Sequence, residues 1–267
     1  MMNMAICSLS SGSSGNTYLV LSERTAVLVD AGVSARQIGL RLSGLGLSTE
    51  ALDAVLITHE HQDHISGLPV LMKKLDVPFY ASRGTAEAIR GTMPKEPETV
   101  APGEVLQIGD LQVNAFSTSH DAAEPLGFSF RSGGKQISIV TDTGCVTEEI
   151  FRNMRGSDIL VLESNHDVNI LRIGRYPWFL KQRIASDRGH LSNEAAAEAL
   201  ARLIEEERLA GTEKDRTVLL AHLSRENNFP EMALATVQNV LEERGVLSRK
   251  IRIETLARTE TSPLYTV

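Results

Sequence analysis

Asp53-Ala54-Val55-Leu56-Ile57-Thr58-His59-Glu60-His61-Gln62-Asp63-His64 is the stretch that decides how this chain is read. Its first half is a short apolar run with β-branched residues, which predicts a buried strand. Its second half sets three imidazoles and a carboxylate just past that strand. Two histidines two apart at a strand end can converge on one ion. Asp63 and His64, one step further round the turn, can face a second. Such a donor set suits zinc, or manganese and iron as oxygen content rises. The chain has seven histidines in 267 residues, so this concentration is not background.

Working outward, other polar residues close apolar runs. Asp30 ends Ala-Val-Leu-Val-Asp, and Asp142 ends Ile-Ser-Ile-Val-Thr-Asp, each just before a glycine-containing turn. His120 follows Val-Asn-Ala-Phe-Ser-Thr-Ser, and His222 ends Thr-Val-Leu-Leu-Ala-His. A polar residue at the end of a buried strand is where a sheet delivers side chains into a common crevice.

The remaining pattern predicts strands at Ala5–Leu9, Thr17–Leu21, Ala26–Asp30, Leu111–Phe116, Gly127–Phe130, Gln136–Asp142, Asp158–Glu163, Thr217–His222 and Lys250–Thr255. Helices are expected over about Ser34–Leu45, His64–Leu75, Ser192–Arg208 and Pro230–Arg244. Ser192 is placed to cap its helix, Glu194 suits the dipole there, and Gly245 is a fitting terminator. Consecutive short strands broken by helices predict an α/β fold, a four-layer αββα sandwich of two mixed sheets in one domain over residues 1–267. No linker-like stretch or internal repeat divides it.

The bulk figures are ordinary for a soluble globular protein. Hydrophobic residues make up 42% and charged residues 23%, and 27 basic against 34 acidic residues leave −7, which is not the balance of a protein that coats nucleic acid. Two cysteines, Cys7 and Cys145, do not make a disulfide framework. The first residues lack a charged leader pattern and no apolar run approaches membrane-spanning length, so a cytoplasmic location is expected.

At this point the chain resembles the metallo-β-lactamase fold superfamily. The order Asp30, His59-x-His61-x-Asp63-His64, His120, Asp142, His222 matches that family's motifs from end to end. The resemblance implies that His59, His61 and His120 hold one divalent metal and Asp63, His64 and His222 another, with Asp142 bridging. Asp30 would orient a ligand imidazole or the loop backbone. An aspartate bridges where many true β-lactamases carry cysteine, and nearby Cys145 reads as small apolar filler.

Two metals a few ångströms apart generate hydroxide at neutral pH and neutralise developing negative charge. Phosphodiester, thioester, lactone and lactam hydrolysis all fit. Three features favour phosphodiesters. Gly189-His190-Leu-Ser192, then an alanine-rich helix, then Leu-Leu-Ala-His-Leu-Ser resembles the tail of the RNase Z-type nucleases, which makes His190 the proton donor. Residues 171–188 interleave Arg172, Arg175, Lys181, Arg183 and Arg188 with Tyr176, Trp178 and Phe179, a mixture that can hold phosphates and stack bases. The loop Ser10-Ser-Gly-Ser-Ser-Gly-Asn16 offers backbone N–H groups in a tight curve that could cradle a phosphate.

Cys-Ser-Leu-x-Ser-Gly-Ser-Ser-Gly-Asn, Glu163-Ser-Asn-His-Asp167, Tyr176-Pro and Gly-His-Leu-Ser-Asn193 together are similar to the YycJ/WalJ group of bacterial nucleases, apart from Ser10 at an expected glycine. That resemblance implies 5′→3′ exonuclease activity on DNA by a metal-bridging hydroxide, oriented by Asp63 and Asp142. Ser13, Asn16, Asn165, His166, Arg175, Lys181 and Arg183 would contact the substrate. Two other readings stay open from residues alone: a small-molecule metallo-hydrolase (cyclic phosphodiesterase, lactonase or thioesterase) and an RNA-processing nuclease. No β-CASP-sized insertion separates Asp142 from His222, and specificity would come from strand end and backbone shape.

Overall fold

Residues that end apolar runs matter in this chain because of where the runs stop. The computed structural model describes residues 4–267, and its strands are β1 (Met4–Ser10), β2 (Thr17–Ser22), β3 (Ala26–Val29), β4 (Ala54–Leu56), β5 (Phe79–Ala81), β6 (Glu98–Thr99), β7 (Val105–Ile108), β8 (Leu111–Ser117), β9 (Leu126–Ser132), β10 (Lys135–Val140), β11 (Ile159–Glu163), β12 (Arg216–Ala221), β13 (Ile251–Thr255) and β14 (Tyr265–Thr266). They form two mixed seven-stranded sheets, ordered β14-β1-β2-β3-β4-β5-β6 and β13-β12-β11-β10-β9-β8-β7. The helices flanking them are α1 (Ala35–Gly44), α2 (Gln62–Ile65), α3 (Leu68–Met72), α4 (Arg83–Ala88), α5 (Glu148–Met154), α6 (Val168–Ile173), α7 (Trp178–Ile184), α8 (Asn193–Leu209) and α9 (Pro230–Glu243). The two expected mixed sheets with flanking helices are therefore present.

The chain groups into two compact units. Among the described residues, one holds 4–117, 122–137 and 257–267, the other 118–121 and 138–256. In the first unit, β1 to β3 pair antiparallel, while β3, β4 and β5 run parallel. Leu28, Val55 and Ile57 are fully buried in its core with Ile38 and Leu42 of α1 and Leu68 of α3. Each contributes about 1.5–3 kcal/mol of apolar burial.

One expected helix is divided. The run His64–Leu75 is two short helices, α2 and α3, separated at Ser66 and Gly67. Gly67 lies against the backbone that follows β3: its N–H donates to Ala31 O at 2.8 Å, and a Cβ there would stand 2.0 Å from Val33 O. Close approach at that point overrides helical continuity.

In the second unit, β11, β12 and β13 are parallel, with Glu163 opposite Ala221 and Leu220 opposite Thr255. Helix α8 starts as expected, with Ser192 Oγ accepting from Ala195 N at 3.1 Å and Glu194 in the first turn. Gly245, at φ 65°, follows α9 in the left-handed region its role demands. No helix among the described residues is long and apolar enough to cross a membrane.

Candidate metal centre

The first unit builds its part at the ends of two adjacent parallel strands. Val29 of β3 lies opposite Leu56 of β4, so the residues that follow each strand emerge side by side. Asp30 accepts from Thr58 N at 2.8 Å, from Thr58 Oγ1 at 2.9 Å and from His64 Nδ1 at 2.7 Å. That bond fixes the His64 ring and leaves Nε2 as its other donor atom. Burial pushes the Asp30 carboxyl up, against the charge and hydrogen bond of His64 and the bonds from Thr58. His59 Nε2 stands 3.0 Å from His61 Nδ1, and Asp63 Oδ2 stands 3.6 Å from His64 Nε2. His59, His61, Asp63 and His64 are thus brought together, with Asp30 behind His64.

Backbone contacts hold this turn. Ala31 N donates to His64 O at 2.8 Å and Asn16 N to Asp63 O at 2.7 Å. A Cβ on Gly32 would lie 1.8 Å from Asp63 O, so no other residue fits there.

The second unit gathers residues far apart in sequence. Asp142 follows β10, Glu163 ends β11 and His222 follows β12, three neighbouring strands of one sheet. Glu163 Oε1 lies 2.7 Å from His190 Nδ1 and 2.9 Å from His222 Nδ1. A carboxylate only accepts, so both rings present Nδ1–H to it and keep Nε2 for other work. Asp142 Oδ1 lies 3.6 Å from His222 Nδ1 and 3.9 Å from both His190 Nδ1 and His120 Nε2. His120 donates Nδ1–H to Gly189 O at 2.9 Å, which leaves its Nε2 as the donor atom. Donor atoms of Asp142, Glu163, His190 and His222 all fall within 4.8 Å of one another.

His190 is set by backbone. Its N–H donates to Ile184 O at 2.9 Å, Asn165 N–H donates to Leu191 O at 2.8 Å, and Asn193 N–H donates to His166 O at 2.9 Å. The 190–193 segment therefore runs beside 163–166, the segment that carries Glu163.

The protonation states suit metal ligands. Burial works to raise the Glu163 pKa, but the His190 charge and the hydrogen bonds from His190 and His222 outweigh it and hold it down to about 2. Burial lowers His120 against the pull of Asp142, which keeps its imidazole neutral. A neutral His120 with its Nδ1 held by Gly189 O, and an ionised Glu163 behind His222, match what a divalent cation requires of its surroundings.

Three described non-glycine residues have a left-handed backbone: Asp30 (φ 60°), Asp142 (φ 55°) and His222 (φ 56°). Each costs on the order of 1–3 kcal/mol. All three sit just past a strand and belong to these clusters. Among the described non-glycine residues, left-handed backbone strain is thus confined to these strand ends.

A model of the β-lactamase superfamily domain matches residues 25–211. The chain belongs to the β-lactamase superfamily. It is 41% identical over 241 residues to exodeoxyribonuclease YycJ of Bacillus anthracis, covering 89% of each chain. It is 39% identical to exodeoxyribonuclease WalJ of Streptococcus pneumoniae, covering 88% of this chain and 87% of that one. Among solved structures, the metallo-β-lactamase fold protein YhfI of Bacillus subtilis aligns with TM-score 0.69 at 18% identity, over 97% of this chain and 99% of that one. The fold is that of the metallo-β-lactamases, and buried histidine/carboxylate clusters on it are suited to divalent metal ions.

The residues expected at the substrate fall in different settings. Ser13, Arg175 and Arg183 are exposed, and Arg183 is paired with Asp121. Lys181 is half-buried and donates to Arg172 O at 2.8 Å. Asn165 and His166 are buried, and Asn165 Nδ2 donates to His222 O at 2.8 Å. Asn16 is buried as well, and its side chain spans the Gly12 N–H (2.7 Å) and His64 Nε2 (3.0 Å).

Part of the expected phosphate cradle in the 10–16 loop is already engaged. Its N–H groups at Ser11, Gly12 and Gly15 donate inward, to Arg258 O, Asn16 Oδ1 and Gly12 O. They are spent on holding the loop. The residue that sequence reasoning left without a role is Glu163. Its signal was available, because it closes the apolar run Ile159–Leu162 just as Asp30 closes β3.

Proposed function

We propose that this chain is a metal-dependent exodeoxyribonuclease that degrades DNA from the 5′ end. The Glu163–His190 pair carries the reading, supported by the similarity to YycJ and WalJ. Two divalent ions, zinc or manganese, would be held as the motif order implies: His59, His61 and His120 for one, Asp63, His64 and His222 for the other, with Asp142 common to both. Such ions supply an activated water and Lewis acidity toward phosphodiester oxygens.

The chain's own residues do the rest. Asp63 and Asp142 orient the attacking water. Glu163, held ionised, accepts Nδ1–H of His190 and so supports a protonated imidazole whose Nε2–H faces away from it. That proton goes to the leaving 3′-oxygen as the phosphorus–oxygen bond breaks, the task of a general acid. Glu163 also fixes His222 from the same oxygen, so a single carboxylate sets one proton donor and one metal ligand. Asp30 does the equivalent for His64. Basic residues of 172–188 hold the flanking phosphates.

The test uses metal-loaded protein with 5′- and 3′-labelled DNA duplexes, single strands and matching RNA, with Asp142→Ala as control. Release of nucleotides from the 5′ end of DNA by the wild type alone is expected. No cleavage of any polymer, with metals bound, would transfer the site to a compact ester or cyclic phosphodiester.

A further inference from the structure

A pocket of about 220 Å³ lies between α6 and α7, wholly within the second unit, and its walls include His166, Leu171, Arg172, Trp178, Lys181 and Gln182. It is smaller than the roughly 300–1,000 Å³ clefts that take drug-sized ligands. One planar ring system is its natural scale. Four large apolar side chains are exposed within twelve residues around it: Val168, Ile173, Trp178 and Phe179, with Trp178 69% exposed. Such a patch is unusual beside a run rich in cations and marks a binding surface.

Two features indicate what fills the pocket. The rim carries Arg172 and Lys181, whose ammonium spends one contact on Arg172 O. The neighbouring sequence through Arg188 adds Arg175 and Arg188 against Asp187, while Arg183 is paired with Asp121. A cationic rim around an aromatic wall selects an aromatic group attached to phosphates. The second feature is His166, which is only 2% exposed and whose Nδ1 has no hydrogen-bond partner among the described residues. A buried, unpartnered imidazole nitrogen costs free energy that a polar-edged ligand could offset. His166 is also bridged to Ser192, the next residue but one from His190, so the pocket adjoins the segment that carries the proton donor.

We propose that this pocket takes one unstacked nucleobase of the DNA strand, with Trp178 as its stacking face and Arg172 and Lys181 at the adjoining phosphates. The inference rests on the nuclease reading above and adds a base subsite to it. It makes the enzyme sensitive to whether a base is present near the scissile linkage, though not to which base.

Trp178 is the chain's single tryptophan, so its emission reports on the pocket directly. Metal-loaded protein is titrated with a phosphorothioate-linked 5′-phosphorylated oligothymidylate, and with a strand of equal charge carrying abasic residues at its 5′ end. We expect saturable quenching by the first and affinity about tenfold weaker for the second, within the usual range for one stacked base. The variants carry no tryptophan, so anisotropy of dye-labelled strands reads their binding and that of the wild type alike: Trp178→Ala should bring the two strands within twofold of each other, while Trp178→Phe retains part of the preference. Equal affinities in the wild type, or a tenfold preference surviving in Trp178→Ala, overturn the subsite. If DNA is still cleaved, only the subsite falls. If neither strand binds and no DNA is cut, the nuclease reading falls with it.

Discussion

The two units present histidine and carboxylate in opposite ways. The first carries four candidate ligands between His59 and His64, so chain connectivity alone places them at one strand end. The second draws His120, Asp142, Glu163, His190 and His222 from separate segments, and its convergence depends on sheet register. Glu163 and His222 are 59 residues apart, yet β11 and β12 pair Glu163 with Ala221 and bring the two within 2.9 Å. The same contrast extends to the supporting carboxylates. Asp30 steadies one ring, whereas Glu163 steadies two. A locally encoded cluster is robust to distant changes, and a register-encoded cluster has a single carboxylate on which it turns.

The largest effect should come from removing one ligand on either side. His61→Ala and Asp142→Ala are each expected to abolish DNA hydrolysis and lower bound metal, read by elemental analysis of the purified proteins. If either variant keeps a full complement of metal, that unit does not contribute a ligand and the comparison breaks. Next in size is His190→Ala, which should cut turnover about 10²- to 10⁴-fold, the range for a lost general acid. Its metal content should stay at wild-type level. A parallel loss of metal would make His190 a ligand instead of a donor.

The carboxylates sharpen the comparison. Replacement of a residue that orients a metal-bound imidazole typically costs 10- to 100-fold. Asp30→Asn should fall in that range through His64 alone. Glu163→Gln should fall at its upper end and lower both turnover and metal affinity, because one oxygen serves His190 and His222. Steady-state kinetics and metal titration on both variants would decide. Equal, purely metal-affinity effects would mean that Glu163 acts through His222 only.

How much of this was legible follows the same division. The contiguous motif, Asp30, and the strands around them are readable because local apolar runs stop at them. His120, Asp142 and His222 are readable for the same reason one at a time. What cannot be read locally is pairing: the bonds to Glu163 are set by the β11–β12 register, and nothing in four apolar residues followed by glutamate announces two histidine partners. The split of His64–Leu75 into α2 and α3 escapes for a related reason, since Gly67 answers to the backbone at Val33. The 10–16 loop shows the same limit: its glycines and serines are legible as a tight turn, but that the Ser11 and Gly12 N–H groups bond Arg258 and Asn16 is not.

The smallest effect belongs to His166, the buried imidazole of the second unit that stands beside the ligands and joins none of their bonds. Burial lowers its pKa to about 4, against the opposing pull of Glu163 and Asp167. In the unfolded chain it titrates near 6.5. The unfolded state therefore binds the proton first as pH falls, and stability is lost between about pH 6.5 and pH 4. At pH 5 the loss amounts to at most about 2 kcal/mol from this one group. His166→Gln cannot take up that proton, so its melting temperature should fall less between pH 7 and pH 5 than that of the wild type. Both proteins would be measured after chelation, so that protonation of metal ligands contributes equally to each. Parallel falls would mean that His166 carries its proton in the folded state. It would then belong with the charged side chains around the pocket instead of the neutral rings of the metal clusters.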